Sequence, residues 1–345
     1  MKALPNIRDL ARKTGLSTAT VSRVLNQKPG VDAATRLRVE KAVADLSYKR
    51  RPVGRTHRLT RKAIGILYNR REDHLHLSDA VYHEMVEHLH FLLGKRGYEL
   101  IPIETYWEEK NDPAVAAYLK RRISLENLQG IFIYLELHHD PLLDYLRKKT
   151  LPIVHLQKHF ENPFPDPWIA FDHRSGTMEA MAHLLSLGHR KIALISGKPD
   201  AGYIQEREAG YREALEQKNI PFEGALVKRI LGGSAQSGYE AMKLFLSEKK
   251  SFSAVITYND LTALGVLRAL HEKKIRVPED VSVVGFDDAI YSRTAIPSLT
   301  TVGQDFKRMA REGVAALFDL RGGARKPTQT LLPTRLILRE STSDA

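Results

Sequence analysis

The chain has 345 residues, of which 43% are hydrophobic and 27% are charged. This composition is typical of globular proteins, and the length suits two or three domains. There is no cysteine, which excludes disulfides, thiolate metal sites and cysteine nucleophiles. No apolar run approaches the roughly 18 residues that span a membrane, and the first residues lack the apolar stretch of a signal peptide. We therefore expect a cytoplasmic protein with no membrane partner.

The net charge of +12 is confined to the start of the chain. Residues 1–62 carry 16 Lys or Arg and four acidic side chains, whereas the rest of the chain carries 37 of each sign. A solvated basic surface is one explanation. A separation this complete favours a polyanion-binding domain attached to a neutral body.

Residues 5–47 show the spacing of three short helices. Apolar residues recur at helical intervals before Gly15, which is predicted to end the first helix. Ser17 is placed to cap a second helix over 18–26, and Asp32 to cap a third. The apolar stripe of the third helix is predicted to comprise Leu37, Val39, Ala42, Val43 and Leu46. Two helices joined by a tight turn, with a third as support, predict an all-α helix-turn-helix domain.

A basic segment separates this domain from the rest of the chain. Seven of the fourteen residues of 49–62 are Lys or Arg, and Pro52 and Gly54 interrupt them. Because like charges repel and no apolar face exists, this segment is predicted to be an extended linker. We assign residues 1–48 to the helix-turn-helix domain and residues 63–340 to the body.

From residue 63 onward, short apolar runs alternate with longer amphipathic stretches. The predicted strands are 63–68, 98–104, 130–136, 152–156, 190–196, 226–230, 253–258 and 281–286. The predicted helices are 79–95, 112–122, 173–187, 203–218, 235–249, 259–273 and 305–320. Strict alternation predicts parallel sheets covered on both faces, in an α/β core of two Rossmann-like subdomains. We place the first subdomain at about 63–165 plus 300–327, and the second at about 166–299 plus 328–340.

Several phrases carry a family resemblance. They are Ile7-Arg8-Asp9-Leu10-Ala11, Thr14-Gly15-Leu16-Ser17, Thr20-Val21-Ser22-Arg23-Val24-Leu25-Asn26, Leu187-Gly188-His189, Asn259-Asp260 and Val284-Gly285-Phe286-Asp287-Asp288. With them the chain resembles the LacI/GalR repressor family over nearly its whole length. The resemblance implies a homodimeric repressor of transcription that binds double-stranded operator DNA. It also implies a periplasmic-binding-protein-like body that binds a small effector, often a sugar or nucleobase, between its two subdomains.

The second helix is the predicted recognition helix. Its outer side, near the N-terminus, carries Thr18, Ala19, Ser22 and Arg23, and Arg23 can bond bidentately to guanine. The short polar residues at the helix ends suit phosphate oxygens or simple capping: Ser17, Thr20, Asn26 and Thr35. In the linker, Arg55 and Arg58 are expected to make minor-groove contacts. The family inserts a leucine into the minor groove from this segment, whereas here that position falls near Thr56 or His57.

The predicted effector residues come mainly from the resemblance. Asp287 ends an apolar run, where a carboxylate can accept hydroxyl hydrogen bonds. The positions that match family ligand positions are Asn69, Gln157, Arg207, Asn259 and Phe306. A surface ion pair is the alternative interpretation of Arg207. Many family members carry an aromatic ring for stacking at the position that is Gly233 here, so we expect a bulkier ligand at this point, or one bound without that stack.

Catalytic and metal motifs are weak. His83-Glu84 resembles the start of an HExxH zinc motif, but His88 follows at i+5, about 140° away around a helix, and cannot share its face. No phosphate-binding, dinucleotide-binding or nucleophile-elbow motif is present. We therefore expect a protein that is not an enzyme and has neither metal nor cofactor.

Two other classes remain as alternatives. A sugar-binding transport protein of this fold would need a signal peptide and no basic domain. An enzyme on the same fold would need a nucleophile or a metal site. We favour a regulator in which a small effector, a sugar or sugar derivative, closes the cleft and shifts the protein between states of different DNA affinity.

Overall fold

The computed structural model forms two compact units, Met1–Thr60 and Arg61–Ala345. The residues it describes are 7–25, 31–46, 62–69, 80–105, 117, 121, 123, 128–134, 141–157, 166–199, 202–324 and 328–345. The linker up to residue 61 and nearly all of the predicted helix 112–122 lie outside this set. Within it, no helix has the length and apolarity needed to cross a membrane.

The first unit consists of the three predicted helices. They are α1 (Ile7–Thr14), α2 (Thr18–Leu25) and α3 (Ala33–Asp45). Their buried core comprises Leu10, Val21, Val24, Val39 and Ala42. The placement of Leu37 in the apolar stripe is wrong, because its side chain is 69% exposed. Leu37 lies two residues from Val39, about 200° around the helix, and therefore on the opposite face.

A tight turn joins the first two helices. Gly15 has a φ of 64°, a left-handed conformation that glycine adopts without steric cost. The Leu16 amide donates to the Ala11 carbonyl at 3.1 Å and closes the turn. Arg38 of α3 donates to the Thr14 carbonyl, so the third helix supports the turn from outside.

The second unit is an α/β structure in which strands and helices alternate. Its strands are β1 (Lys62–Asn69), β2 (Tyr98–Thr105), β3 (Leu128–Tyr134), β4 (Ile153–Leu156), β5 (Trp168–Phe171), β6 (Ile192–Ser196), β7 (Val227–Arg229), β8 (Ala254–Ile256), β9 (Ser282–Asp287), β10 (Thr300–Gly303), β11 (Gln329–Leu332) and β12 (Arg335–Ile337). Its helices are α4 (Ala80–Gly94), α5 (Pro141–Lys148), α6 (His173–Ser186), α7 (Gly202–Gln217), α8 (Ala235–Ser247), α9 (Asp260–Glu272) and α10 (Phe306–Arg321).

The strands form two six-stranded sheets. The first has the order β11-β5-β4-β3-β1-β2 and the second β12-β10-β9-β8-β6-β7. All neighbours are parallel except β12, which pairs antiparallel with β10. Helices α4 and α10 cover one face of the first sheet, and α5 covers the other. Helices α6 and α7 cover one face of the second sheet, and α8 and α9 cover the other. The predicted fold class is confirmed.

The predicted subdomain boundaries differ from the sheet topology at three points. Strands β5 and β11 belong to the first sheet, and β10 belongs to the second. The chain therefore passes between the sheets after Phe171, after Gly303 and after Leu332. Strand β5 has only four residues, and β10 begins with Thr300 and Thr301, which are fully buried although polar. Thus β5 is apolar but short, and β10 is too polar at its start to resemble a buried strand.

Candidate functional site

Helix α2 presents the surface predicted to read DNA. Thr18, Ala19 and Arg23 are exposed and Ser22 is partly exposed, whereas Val21 is buried in the core. The four outward positions are spaced i, i+1, i+4 and i+5, so they share one face of the helix. Thr18 and Ala19 lie in the first turn of α2, as predicted, whereas Arg23 lies in its last turn and not near its N-terminus.

Ser17 and Asp32 cap the helices α2 and α3, and Thr20 and Thr35 supply the amides that they bind. The Ser17 hydroxyl accepts from the Thr20 amide at 3.0 Å, and the two hydroxyl oxygens lie 2.9 Å apart. The Asp32 carboxylate accepts from the Thr35 amide at 2.9 Å, and hydrogen bonds from Thr35 lower the pKa of Asp32. The predicted contacts with phosphate remain predictions. Three further predicted contacts lie outside the described residues: Asn26, Arg55 and Arg58.

A second site lies at the carboxyl edge of the second sheet. Strands β6, β8 and β9 are parallel neighbours, so their carboxyl ends meet at this edge. Asp287 ends β9, and Tyr258 and Asn259 follow β8 directly after Thr257. Such an edge is where ligands bind in open α/β sheets.

Arg207 of α7 lies at the centre of this edge and is 9% exposed. Its Nη1 donates to the Tyr258 carbonyl at 2.6 Å, and its Nε donates to Nδ1 of His173 at 3.3 Å. The guanidinium carbon lies 3.4 Å from the ring centroid of Phe286, and Nη2 lies 3.8 Å from Oδ1 of Asp287. Burial lowers the pKa of Arg207, and the charge of Asp287 opposes that shift.

These contacts exclude the interpretation of Arg207 as a surface residue. The neighbouring Glu208 makes the surface ion pair instead, with Arg229 at 2.8 Å. Arg207 is the buried member of α7 at this point, and its bonds fix the plane of the guanidinium.

His173, the first residue of α6, was not predicted from the sequence. It is buried, and its pKa is well below the ordinary value because burial and the charge of Arg207 both oppose protonation. The neutral ring accepts from Arg207 at Nδ1, so its proton is on Nε2. Nε2 has no hydrogen-bond partner among the described residues. The site therefore contains a buried donor that a ligand or water can satisfy.

Asp287 also has a partner that the sequence did not indicate. It accepts from Nε2 of Gln304 at 2.5 Å, and its φ of 110° turns the chain sharply at the end of β9. The buried Oε1 of Gln304 has no partner in the part of the chain that the structure describes. The amide oxygen of Gln304 is thus available as an acceptor beside the Asp287 carboxylate.

The remaining predicted effector residues differ in how much of each side chain is available to a ligand. Asn259 caps α9, accepting from the Thr262 amide at 2.8 Å. Gln157 follows β4 with a φ of 66°, and its buried Oε1 lacks a partner among the described atoms. Phe306 is 2% exposed and packs on Phe171 with ring centroids 5.2 Å apart, so little of its surface is free for a ligand. Asn69 ends β1, and its side chain lies outside the described part.

The histidine-rich helix offers no metal site. His83 and His88 both lie on α4, where their spacing places them on different faces. His88 uses Nδ1 in a 3.0 Å contact with the carbonyl of Glu84, one turn earlier. Across the residues that the structure describes, no group of three or more His, Asp or Glu is arranged to hold a metal ion.

Comparison with known proteins identifies relatives of both parts of the chain. Residues 6–51 match the family of bacterial regulatory proteins, lacI family, and residues 181–342 match the periplasmic binding protein-like domain. The transcriptional regulator AscG of Escherichia coli (strain K12) is 31% identical over 96% of this chain and 97% of its own length. The transcriptional repressor PurR of Haemophilus influenzae (strain PittEE) is 30% identical, covering 92% of this chain and 91% of its own.

Solved structures give the same result. The complex of the transcriptional regulator CelR with cellobiose superposes with a TM-score of 0.73 at 28% identity, over 98% of this chain and 99% of that one. The lac repressor dimer bound to operator and the anti-inducer ONPF gives a TM-score of 0.71 at 29% identity, over 99% of this chain and 100% of that one. The predicted resemblance is confirmed, and the chain belongs to the lacI family of bacterial regulatory proteins.

Proposed function

We propose that this chain is a transcriptional repressor whose affinity for operator DNA is set by a small, neutral, polyhydroxylated effector such as a sugar. The observation that carries the effector site is the buried Arg207, fixed by three partners beside Asp287. The relatives with which it shares its family include a regulator in complex with cellobiose and a repressor dimer on its operator. Those relatives are regulators, so we infer that this chain too acts by binding and not by catalysis.

The DNA-reading role is assigned to the exposed face of α2. Arg23 donates to guanine O6 and N7, and Thr18 and Ala19 contact neighbouring base edges. Ser17, Thr20 and Thr35 are proposed to contact phosphates in addition to their capping bonds. A homodimer pairs two such faces with two half-sites, as the two-fold symmetry of operators requires. We infer that the protein acts in the cytoplasm, where the DNA lies.

The chemistry of the effector follows from the polar groups at this edge. Gln304 offers an amide oxygen beside the Asp287 carboxylate, and His173 offers an N–H. Because Arg207 and Asp287 largely compensate each other's charge, the site favours a neutral ligand over an ion. A ligand that both donates and accepts at many points fits this arrangement, and hydroxyl groups do both.

Regulation is proposed to follow from contacts with both sheets. The effector would bind Arg207 and Asp287 at the edge of the second sheet, and Asn69 and Gln157 at the carboxyl edge of the first. Only a ligand that touches both edges makes more contacts when they close on it. That difference is what can shift a population from one DNA affinity to another.

The experiment that tests the effector site compares two arginines. Arg207→Ala and the matched control Arg229→Ala, whose arginine pairs with Glu208 at the surface, are titrated by calorimetry with a panel of neutral sugars and alditols. Hydrogen bonds to charged groups contribute about 1.5–3 kcal/mol each, so Arg207→Ala should weaken binding at least tenfold. Arg229→Ala should bind as the wild type does. Equal affinity of Arg207→Ala and wild type would remove the site from this edge.

A further inference from the structure

Two tyrosines form an aromatic pair beside Arg207. Tyr203 lies one turn before Arg207 on α7, and Tyr258 follows β8. Their hydroxyl oxygens are 2.6 Å apart and their ring centroids 6.4 Å apart. The guanidinium carbon of Arg207 lies 5.4 Å from the Tyr203 ring centroid and 6.0 Å from that of Tyr258. Both tyrosines are partly exposed, while Arg207 is buried.

Two glycines make room for the Tyr258 ring. A Cβ added at Gly233 would lie 2.6 Å from Cε1 of Tyr258, and a Cβ added at Gly197 would lie 2.7 Å from Cε2. Real Cβ atoms essentially never approach so closely, so any side chain at either position would displace the ring. The two glycines contact opposite edges of the ring, and together with the hydroxyl bond to Tyr203 they hold it in one orientation.

A tyrosine held in this way is suited to contact a flat ligand. It offers a rigid apolar surface with little loss of conformational entropy. The neighbouring Asp287 and His173 can bond groups on the ligand's edge. The arrangement therefore suits a molecule with a flat apolar face and a rim of hydroxyls. A pyranose ring has both, whereas an open-chain alditol has the hydroxyls without the flat face.

We propose that Tyr258, supported by Tyr203, is the surface on which the apolar C–H face of a pyranose ring stacks, and that Tyr258 sets the preference of the site for cyclic sugars. In this chain the stacking ring thus comes from the segment after β8 and not from position 233, where glycine is required. This inference rests on the proposed function and specifies its ligand class.

The test uses the full-length protein with Tyr258→Ala and Tyr258→Phe, titrated by calorimetry. The probes are cellobiose, maltose, lactose, methyl β-D-glucopyranoside and methyl β-D-galactopyranoside, with sorbitol and hypoxanthine for comparison. An aromatic pair contributes about 0.5–1.5 kcal/mol, and on that scale Tyr258→Ala should weaken pyranoside binding roughly 2- to 12-fold. Tyr258→Phe keeps the ring and should bind nearly as tightly as the wild type. Tyr239→Phe is the matched control, since its hydroxyl donates to Glu272 elsewhere.

Each outcome decides the matter. Binding of a pyranoside that is weakened by Tyr258→Ala, and retained by Tyr258→Phe, supports the inference. It is overturned if no pyranoside binds, if sorbitol or hypoxanthine binds as tightly as the best pyranoside, or if Tyr258→Ala binds like the wild type. A folding defect is separated by comparing thermal unfolding of the variants, and Tyr258→Leu replaces the alanine variant if that one unfolds. If ligand binding depends on Arg207 and not on Tyr258, the proposed function stands and this inference alone fails.

Discussion

Asp260→Asn should change how the stability of the second unit depends on pH. Asp260 is the first residue of α9 and is fully buried. One carboxylate oxygen accepts from the Thr301 hydroxyl at 2.5 Å, and the other accepts from the Ala289 amide at 2.7 Å. Burial outweighs these bonds and raises the pKa of Asp260 from 3.8 to about 7.

The sign of the effect follows from proton binding in the two states. Between pH 3.8 and 7 the unfolded chain loses the proton of this carboxyl, whereas the folded chain keeps it. Folding is therefore increasingly penalised as the pH rises through this window, and the penalty is constant above it. Between pH 4.5 and 7.5 the change amounts to roughly 3 kcal/mol at 1.36 kcal/mol per pKa unit. Asparagine does not titrate, so the stability of Asp260→Asn relative to the wild type should rise by about that amount between pH 4.5 and 7.5.

The assay is urea unfolding of the wild type and Asp260→Asn at several pH values. The quantity compared is the difference between their free energies of unfolding at each pH. Asp280→Asn is the control, because a hydrogen bond from Arg276 lowers the pKa of this exposed carboxyl to about 2. Its titration lies below the window, so its difference from the wild type should stay flat from pH 4.5 to 7.5. A flat difference for Asp260→Asn, or one that falls with pH, would refute the account of a buried carboxyl that holds its proton.

Three further outcomes concern DNA binding and coupling. Arg23→Ala should weaken the free energy of binding to the specific operator by about 1–3 kcal/mol and relax discrimination at one base pair per half-site. The control is Arg12→Ala, which replaces an exposed arginine of α1 and should affect specific and scrambled duplexes alike. Equal losses for Arg23→Ala on both duplexes would contradict its role in base recognition. If a dimer neutralises about 6–10 phosphates, operator affinity should fall roughly 10³–10⁵-fold between 50 and 200 mM salt, and a flat salt dependence would contradict the basic domain's role. Asp288 accepts a hydrogen bond from Arg339 at 2.5 Å and precedes Ala289, which packs in the core of the first sheet. Asp288→Asn should therefore still bind effector in calorimetry, but effector binding should change its operator affinity less than in the wild type. Full coupling in that variant would show that this segment does not link the two sheets.

The sequence predicted those elements that have a clear period. In the three helices of the first unit, and in most of the strands and helices of the second, apolar residues recur at regular intervals. Such intervals can be recognised in a single sequence. The sequence did not predict the helix α5 or the strands β5, β10, β11 and β12. In β10 the reason is that Thr300 and Thr301 are polar and their burial depends on partners far along the chain. The Thr301 hydroxyl donates to Asp260, and the Thr300 amide donates to Ser341. Pairings at such separation leave no local signal.

Only part of the candidate site could be predicted from the sequence. Asp287 ends an apolar run, and Arg207 matched a family position, so both were found. His173 follows the N-cap Asp172 and Gln304 precedes the N-cap Asp305, and nothing in the local sequence marks either residue as part of a site. Tyr258 was missed although Gly233 had been singled out, because the contact between them joins two segments that only the fold brings together.

The central claim is that effector binding and operator binding are coupled in one molecule. Its most direct test is a closed thermodynamic cycle on the wild-type protein. Fluorescence anisotropy measures operator affinity with and without a saturating sugar, and calorimetry measures sugar affinity with and without operator. We expect the two ratios to be equal and to lie within about 5–150-fold. Operator affinity that is unchanged at saturating sugar would contradict the claim.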